Sequence, residues 1–187
     1  MATSISPTAV ALDRGEVQLW AGTPRQGIVL RPSDAFMIPF SLLWGGFAIF
    51  WEASVLRTPA PGFFALFGVP FVVAGLYITV GRFFADAWRR SRTGYVLTSE
   101  RVVIRIGPTV KSLQLPTLTD VTLTERGDNS GTITFGAVAF PMAMYAGTPW
   151  PGVAQPPSFE MIPNARQVYA QIRDAQQASK RVPANER

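Results

Sequence analysis

The pattern of apolar and polar positions sets one long apolar region apart from the rest of the chain. Residues 35–81 form two apolar runs, and the segment that joins them contains Arg57 and a Pro59–Gly62 turn. A helix needs about 20 apolar residues to cross a bilayer, and both runs are that long. Neither run shows the one-sided stripe of a helix that lies half in water. The pattern predicts a transmembrane helical hairpin over 35–81, with a hairpin buried in a soluble core as the alternative.

After Gly94 the apolar positions alternate with a period of two, as in VVIRI at 102–106 and LTDVTLTE at 118–125. Alternation in short runs separated by turn residues predicts consecutive antiparallel strands. A helix with an apolar stripe that contains Val168 and Ile172 follows Pro163-Asn164. The predicted fold class is therefore a membrane α+β protein: a two-helix transmembrane hairpin plus an antiparallel β-barrel capped by a C-terminal helix.

Four regions follow from these patterns. They are a cytoplasmic N-terminal segment at 1–34 with the first strand of the module within 16–30, the hairpin at 35–81, the barrel with its C-terminal helix at 82–180, and a frayed tail at 181–187.

The charges predict an orientation for the hairpin. The chain has 17 Lys and Arg against 12 Asp and Glu, a formal net charge of +5. Arginines flank the two runs on their outer sides, whereas Arg57 is alone in the connecting loop. Because positive residues concentrate in cytoplasmic segments, both termini are predicted to lie in the cytoplasm. The first 34 residues contain no apolar stretch typical of a secretory signal.

Arginines directly after the second run are the predicted lipid-binding residues. They are Arg82, Arg89, Arg90 and Arg92. At the level of the head groups they are expected to attract anionic lipid, each contributing about 1 kcal/mol. The sequence leaves open whether they act as a general anchor or as a pocket for one phosphorylated head group.

Small residues within the two runs predict close helix packing. Ser41 and Gly45 are four residues apart in the first run, and Gly75 and Thr79 are four apart in the second. This spacing allows helix backbones to approach each other. The contact is expected either within the hairpin or between protomers.

Composition limits the possible chemistry. Without any cysteine or histidine, the chain lacks disulfides, imidazole bases and the usual ligands of zinc, haem and iron–sulfur clusters. We therefore expect no metal and no cofactor. The sequence also shows no carboxylate pair and no glycine-rich phosphate loop, so an enzyme is the least favoured class.

A stretch without charged residues, 129–159, is rich in aromatic residues, methionine and proline. Its predicted interaction surface consists of Phe140, Met144, Tyr145 and Trp150. Such side chains are enriched in protein contacts. The stretch is expected to fold over the barrel, to lie in the lipid interface, or to contact another subunit.

Several segments in a fixed order resemble the bacterial pleckstrin-homology-like membrane proteins. They are GEVQLWAGTP, two apolar spans, an arginine cluster, YVLTSERVVIR, LTDVTL, GTITF, and FEMI followed by a helix with VYAQI, over roughly residues 15–175. The most specific element is Tyr-x-Leu-Thr-x-x-Arg at 95–101. The resemblance implies a seven-stranded barrel with a capping helix at the bacterial inner membrane, no established catalytic activity and, by analogy, a ring-like oligomer.

The resemblance does not extend to phosphoinositide recognition. The connection at 98–101 has one arginine and the turn at 107–109 has none, whereas phosphoinositide-binding relatives have a lysine and arginine pattern there. Thr98 and Arg101 are instead expected to fix the turn between strands through local hydrogen bonds.

The predicted function is a non-enzymatic inner-membrane protein that presents a cytoplasmic module for protein interaction and self-assembly. The alternatives are an anionic-lipid sensor or carrier and a small transporter or channel subunit. The predicted partners are anionic membrane lipids, further copies of the chain and an unknown protein, with no nucleic acid. Only Glu52, near the outer end of the first run, places an acidic group in the hairpin.

Overall fold

Helices and strands occupy separate parts of the chain in the computed structural model, which describes residues 8–31, 33–59, 62–136 and 156–181. The elements are β1 (Gln18–Gly22), α1 (Asp34–Arg57), α2 (Gly62–Leu76), α3 (Arg82–Ser91), β2 (Thr93–Thr98), β3 (Arg101–Ile106), β4 (Thr109–Gln114), β5 (Val121–Glu125), β6 (Ser130–Phe135), β7 (Ser158–Pro163) and α4 (Ala165–Arg181). The fold is therefore mixed, with two apolar helices and antiparallel sheets, as the sequence predicts.

The chain divides into two structural units. Ile28–Ala87 forms one unit, which we call the helical hairpin. The segments on either side of it form the other, which we call the sheet module. The segment before the hairpin thus contributes a strand to the same unit as the segment after it.

The helical hairpin consists of α1 and a second long helix. A single π-helical turn, Tyr77–Gly81, joins α2 to α3, so that helical structure is continuous from Gly62 to Ser91. Both helices are long and apolar enough to cross a membrane. Their buried positions are mostly small, Ser41, Gly45 and Ala48 in α1 and Gly68 and Gly75 in α2, while large side chains point outward.

Two antiparallel sheets form the sheet module. The first has the order β1-β2-β3-β4 and the second the order β5-β6-β7. The register pairs Gly22 with Tyr95 and Tyr95 with Ile104 in the first sheet, and Leu123 with Ile133 in the second. Strand β1 therefore pairs directly with β2, although the whole hairpin separates them in sequence.

The predicted barrel is not closed, because over the described residues the strands form two sheets with no ladder joining them. A short 3-10 helix, Leu115–Thr117, separates β4 from β5, and Pro116 within it cannot donate a ladder hydrogen bond. At the other junction, Arg25 N donates to Met161 O, just beyond the end of β1. The strand predicted to start at 118 consequently begins at Val121.

The core of the module lies between the sheets and α4. Phe159 is at its centre, with ring centroids 4.7 Å from Tyr95, 5.1 Å from Phe135 and 5.5 Å from Trp20. The predicted stripe of α4 is buried here, with Val168 and Ile172 at most 3% exposed. Such burial stabilises by about 1.5–3 kcal/mol for each large apolar side chain.

Candidate functional site

At the base of the hairpin, Arg82 forms an ion pair inside the protein. Its guanidinium lies 2.7 Å from Oδ1 of Asp34, and both side chains are about 5% exposed. A second pair joins Arg31 and Asp86 at 3.1 Å, and Oδ2 of Asp34 also accepts the backbone N–H of Arg31. Within each pair the positive and the negative charge neutralise each other. The charge of Arg82 is therefore balanced within the hairpin, and its contact with lipid stays a prediction.

Arg90 is the most buried member of the predicted lipid-binding set, with 1% of its surface exposed. Its guanidinium donates to the backbone carbonyl of Arg25 and, at 2.7 Å, to that of Gly27. Gln26, between them, donates in return to the carbonyl of Arg90 at 3.2 Å. Arg90 therefore fixes the chain segment that follows β1 against the residues that precede β2.

Arg89 faces a cleft of about 230 Å³ in the sheet module. One terminal nitrogen of its guanidinium donates to both carboxylate oxygens of Glu160, at 3.1 and 3.0 Å. The hydroxyl of Thr93 donates to the carbonyl of Arg89 at 2.8 Å. Exposed Lys111 and the apolar side chains of Ile104 and Ile106 complete much of the wall.

Tyr95 and Glu160 meet at the floor of this cleft, beside an irregularity in β7. Met161 has a φ of 48°, and the register between β6 and β7 shifts at Gly131 and Ile133. Phe159 is buried in the core while the neighbouring Glu160 reaches Arg89, because successive side chains of a strand point to opposite faces. The bulge that follows lets Ile162 return to the core. The backbone N–H of Glu160 donates to the Tyr95 hydroxyl at 3.0 Å.

The Tyr95 hydroxyl in this cleft does not ionise near neutral pH. Burial raises the pKa of the Tyr95 hydroxyl above its usual value, and the charge of Glu160 adds to the shift, so Tyr95 remains a neutral phenol. Arg89 already pairs with Glu160, whereas exposed Lys111 forms no ion pair with any residue that the structure describes. Nowhere in the described ranges do three His, Cys, Asp or Glu side chains converge as metal ligands do.

Arg92 is the exposed member of the predicted lipid-binding set. Its guanidinium carbon lies 4.0 Å from the ring centroid of Trp88, whose side chain is 60% exposed. An arginine stacked on an exposed tryptophan combines a charge with a flat amphipathic ring, the combination found at membrane interfaces. The structure therefore separates the arginine block into three residues with internal partners and one that faces outward.

The Thr98–Arg101 turn has the local hydrogen bonds that its residue types favour. Thr98 Oγ1 accepts the backbone N–H of Arg101 at 3.0 Å. Glu16, which our sequence interpretation did not single out, completes the arrangement by accepting from Thr98 at 2.7 Å and from Arg101 at 2.8 Å. The Arg101 hydrogen bonds are the largest cause of a fall in the Glu16 pKa from 4.5 to about 2.

The predicted packing residues of the two apolar runs meet within one hairpin. A Cβ placed on Gly75 would lie 3.0 Å from the Cα of Gly45, and the Thr79 hydroxyl donates to the carbonyl of Ser41 at 3.3 Å. The absence of a side chain at Gly75 therefore permits the close approach of α1 and α2.

The predicted interaction surface, Phe140, Met144, Tyr145 and Trp150, lies outside the described residues. Comparison of the chain with protein-family models, with curated proteins and with solved structures finds no match.

Proposed function

We propose that this chain is a non-enzymatic protein of the bacterial inner membrane, anchored by the hairpin, with a cytoplasmic module of pleckstrin-homology type that serves protein interaction and self-assembly. The observation that carries the membrane assignment is the exposure of large apolar side chains on the hairpin. Leu43 is 76% exposed, Phe50 70%, Phe63 70% and Leu66 72%. In water such a surface would be strongly unfavourable, whereas in lipid it is the expected composition.

The pairing of β1 with β2 supports a hairpin that crosses the membrane twice, an even number of times. Strand β1 ends at Gly22 and pairs with β2 at Tyr95, so the chain leaves the module before the hairpin and re-enters the same sheet after it. If the hairpin is in the membrane, both flanks must lie on one side of it. The arginine distribution makes that side the cytoplasm.

The open edge of the first sheet supports self-assembly. Strand β4 pairs with β3 on one side, is bordered by no other described strand, and exposes Val110 to 50%. A free strand edge offers backbone donors and acceptors to a second chain. The charge-free stretch at 129–159 stays a second predicted contact.

Anionic lipid sensing is the second candidate function. Arg92 on Trp88 and Lys111 at the rim of the cleft favour it, because both cations are exposed in the sheet module. Three of the four predicted lipid-binding arginines already have partners in the protein, so this candidate comes second.

Because the chain lacks cysteine, single cysteines can test the membrane assignment directly. In cells treated with a membrane-impermeant maleimide, we expect Thr58→Cys to be labelled from outside and Gln177→Cys only after permeabilisation. Leu43→Cys should stay unlabelled in both conditions although the structure exposes it, because lipid would cover it. Labelling of Leu43→Cys in intact membranes would show that the hairpin meets water.

Self-assembly is tested by the mass of the purified full chain. Native mass spectrometry from a mild detergent is expected to give a mass of more than one chain. Val110→Glu, which places a charge on the β4 edge, should lower that mass, whereas Leu12→Glu, at a similarly exposed position outside the strands, should not. A monomer mass for the unmodified chain at all accessible concentrations would remove self-assembly from the proposal.

A further inference from the structure

Glu52 is the one acidic side chain in the two apolar runs at 35–81. Its Oε2 is buried and accepts no hydrogen bond from any described residue. Arg57, the one cation near it in sequence, is exposed and forms no ion pair with it in the described hairpin. A buried acceptor without a partner is destabilising, and more so if it is charged. The position of Glu52 therefore requires an explanation.

Gly68 on the facing helix has no side chain, and the carboxyl group of Glu52 occupies the slot that this leaves. A Cβ placed on Gly68 would overlap Oε2 of Glu52 and Cζ3 of Trp51, and it would lie 2.9 Å from Cδ of Glu52. Only glycine leaves room for both groups here. The carboxyl group is thus held against α2 rather than extended along α1 toward the end of the helix.

An aromatic groove adjoins the slot. It has a volume of about 250 Å³ and is lined by Trp44, Phe47, Ala48, Trp51, Phe67 and Phe71. Trp51 and Phe67 precede Glu52 and Gly68 directly in sequence, and their rings meet edge to face at 6.4 Å. Ala48, one helical turn before Glu52, keeps the floor of the groove open. Trp51 therefore joins the two features, because its ring lines the groove and its Cζ3 lies beside Oε2 of Glu52 at the Gly68 slot.

We propose that Glu52 and this groove bind a lipophilic organic monocation, such as a quaternary ammonium or phosphonium ion. Aromatic faces attract such cations, which cannot be satisfied by hydrogen bonds, and the attraction strengthens away from water. Glu52 supplies the opposite charge. An ionisable group in an apolar span marks a ligand site by preference over a structural role.

The occupant is a free cation rather than the head group of a phospholipid. A phospholipid that brought its amine to Glu52 would also bring its phosphodiester close to the same carboxylate. Within the hairpin, Arg57 is the only cation near Glu52 in sequence, and it is exposed rather than placed in the groove. Charge complementarity therefore selects a ligand with one positive charge and no negative one.

The full chain in lipid nanodiscs tests the site with tetraphenylphosphonium as the probe. The wild type should bind it in a saturable manner, and tetraphenylborate, which has the same shape and the opposite charge, should not bind. Glu52→Gln keeps the shape and removes the charge, and should weaken binding by about tenfold or more. Gly68→Ala should do the same by displacing the carboxyl group.

Gly46→Ala is the matched control, because a Cβ at Gly46 meets nothing within 4 Å. Gly46→Ala should bind the probe as the wild type does. Trp51→Leu leaves the Gly68 slot open but removes an aromatic face, and it should weaken binding. Equal affinity of the wild type and Glu52→Gln would overturn the proposal. So would loss of probe binding when ethanolamine lipids replace glycerol lipids in the nanodisc, because a head group would then be the occupant.

This inference rests on the proposed membrane insertion of the hairpin, and the two fail in distinguishable ways. If Leu43→Cys is protected in membranes and the probe nevertheless ignores Glu52, only the cation site is wrong. If Leu43→Cys is labelled, the membrane assignment and the cation site are both wrong.

Discussion

Arg90→Met is expected to lower the free energy of unfolding of the sheet module by about 2–4 kcal/mol. The substitution keeps much of the length of the side chain but removes the donors to the carbonyls of Arg25 and Gly27. A hydrogen bond from a charged donor contributes about 1.5–3 kcal/mol, and because Arg25 and Gly27 are exposed, their carbonyls can bond water in the variant, which keeps the total loss at the lower end. The measurement is the guanidinium-induced loss of the β-sheet circular dichroism signal of the full chain in detergent.

Arg92→Met, two residues further on, is the matched control. Because Arg92 is exposed and lies on Trp88, its loss is expected to change the unfolding free energy by less than about 0.5 kcal/mol. It should instead lower the enrichment of anionic over zwitterionic lipid around the chain by about fivefold, the equivalent of about 1 kcal/mol. Equal stability of the two variants would mean that the contacts of Arg90 contribute nothing.

Glu16 is expected to make the stability of the module depend on pH well below neutrality. Arg101 and Thr98 hold the pKa of Glu16 at about 2, from an ordinary value of 4.5. A lowered pKa in the folded state means that stability is fully present above pH about 4.5 and is lost as the pH falls toward 2. The shift corresponds to about 3 kcal/mol, and the Glu16 side chain is 0% exposed, so little of it is screened.

Comparison of the wild type with Glu16→Gln isolates this contribution. The difference in unfolding free energy should be about 3 kcal/mol at pH 7 and should shrink progressively below pH about 4.5. Glu125→Gln, which breaks the exposed ion pair with Arg166, serves as the control and should show a far smaller change that salt removes. A difference that is constant from pH 7 to pH 2 would contradict the assigned cause.

The sequence predicts the elements well because their patterns are local. Alternation places Val102 and Ile104 in the core, where both are almost fully buried, and the two apolar runs within 35–81 identify the two long helices. The helix after Asn164 likewise buries the stripe that its spacing predicts. Each of these elements is marked by the spacing of apolar residues or by the length of an apolar run, and both are local features of the sequence.

Local patterns do not predict contacts between residues that are distant in sequence. Nothing around Arg90 indicates that it is buried while Arg92 is exposed, because the partner carbonyls lie more than 60 residues earlier. Glu16 was missed for the same reason, since its contact with Arg101 spans 85 positions. The open barrel depends on the turn at Pro116, which sequence reasoning treats only as an interruption.

The insertion of the hairpin between two paired strands also sets the order of events during synthesis. Ala21 must pair with Val96, so β1 leaves the ribosome 75 residues before its partner exists. At about 5–20 residues per second this delay is about 4–15 s. During that interval both apolar helices are made while Leu19 and Trp20 have no sheet to join. The first strand of the module thus has no partner until the whole hairpin has been made, and chaperone binding to the nascent N-terminal segment is expected to peak in this interval.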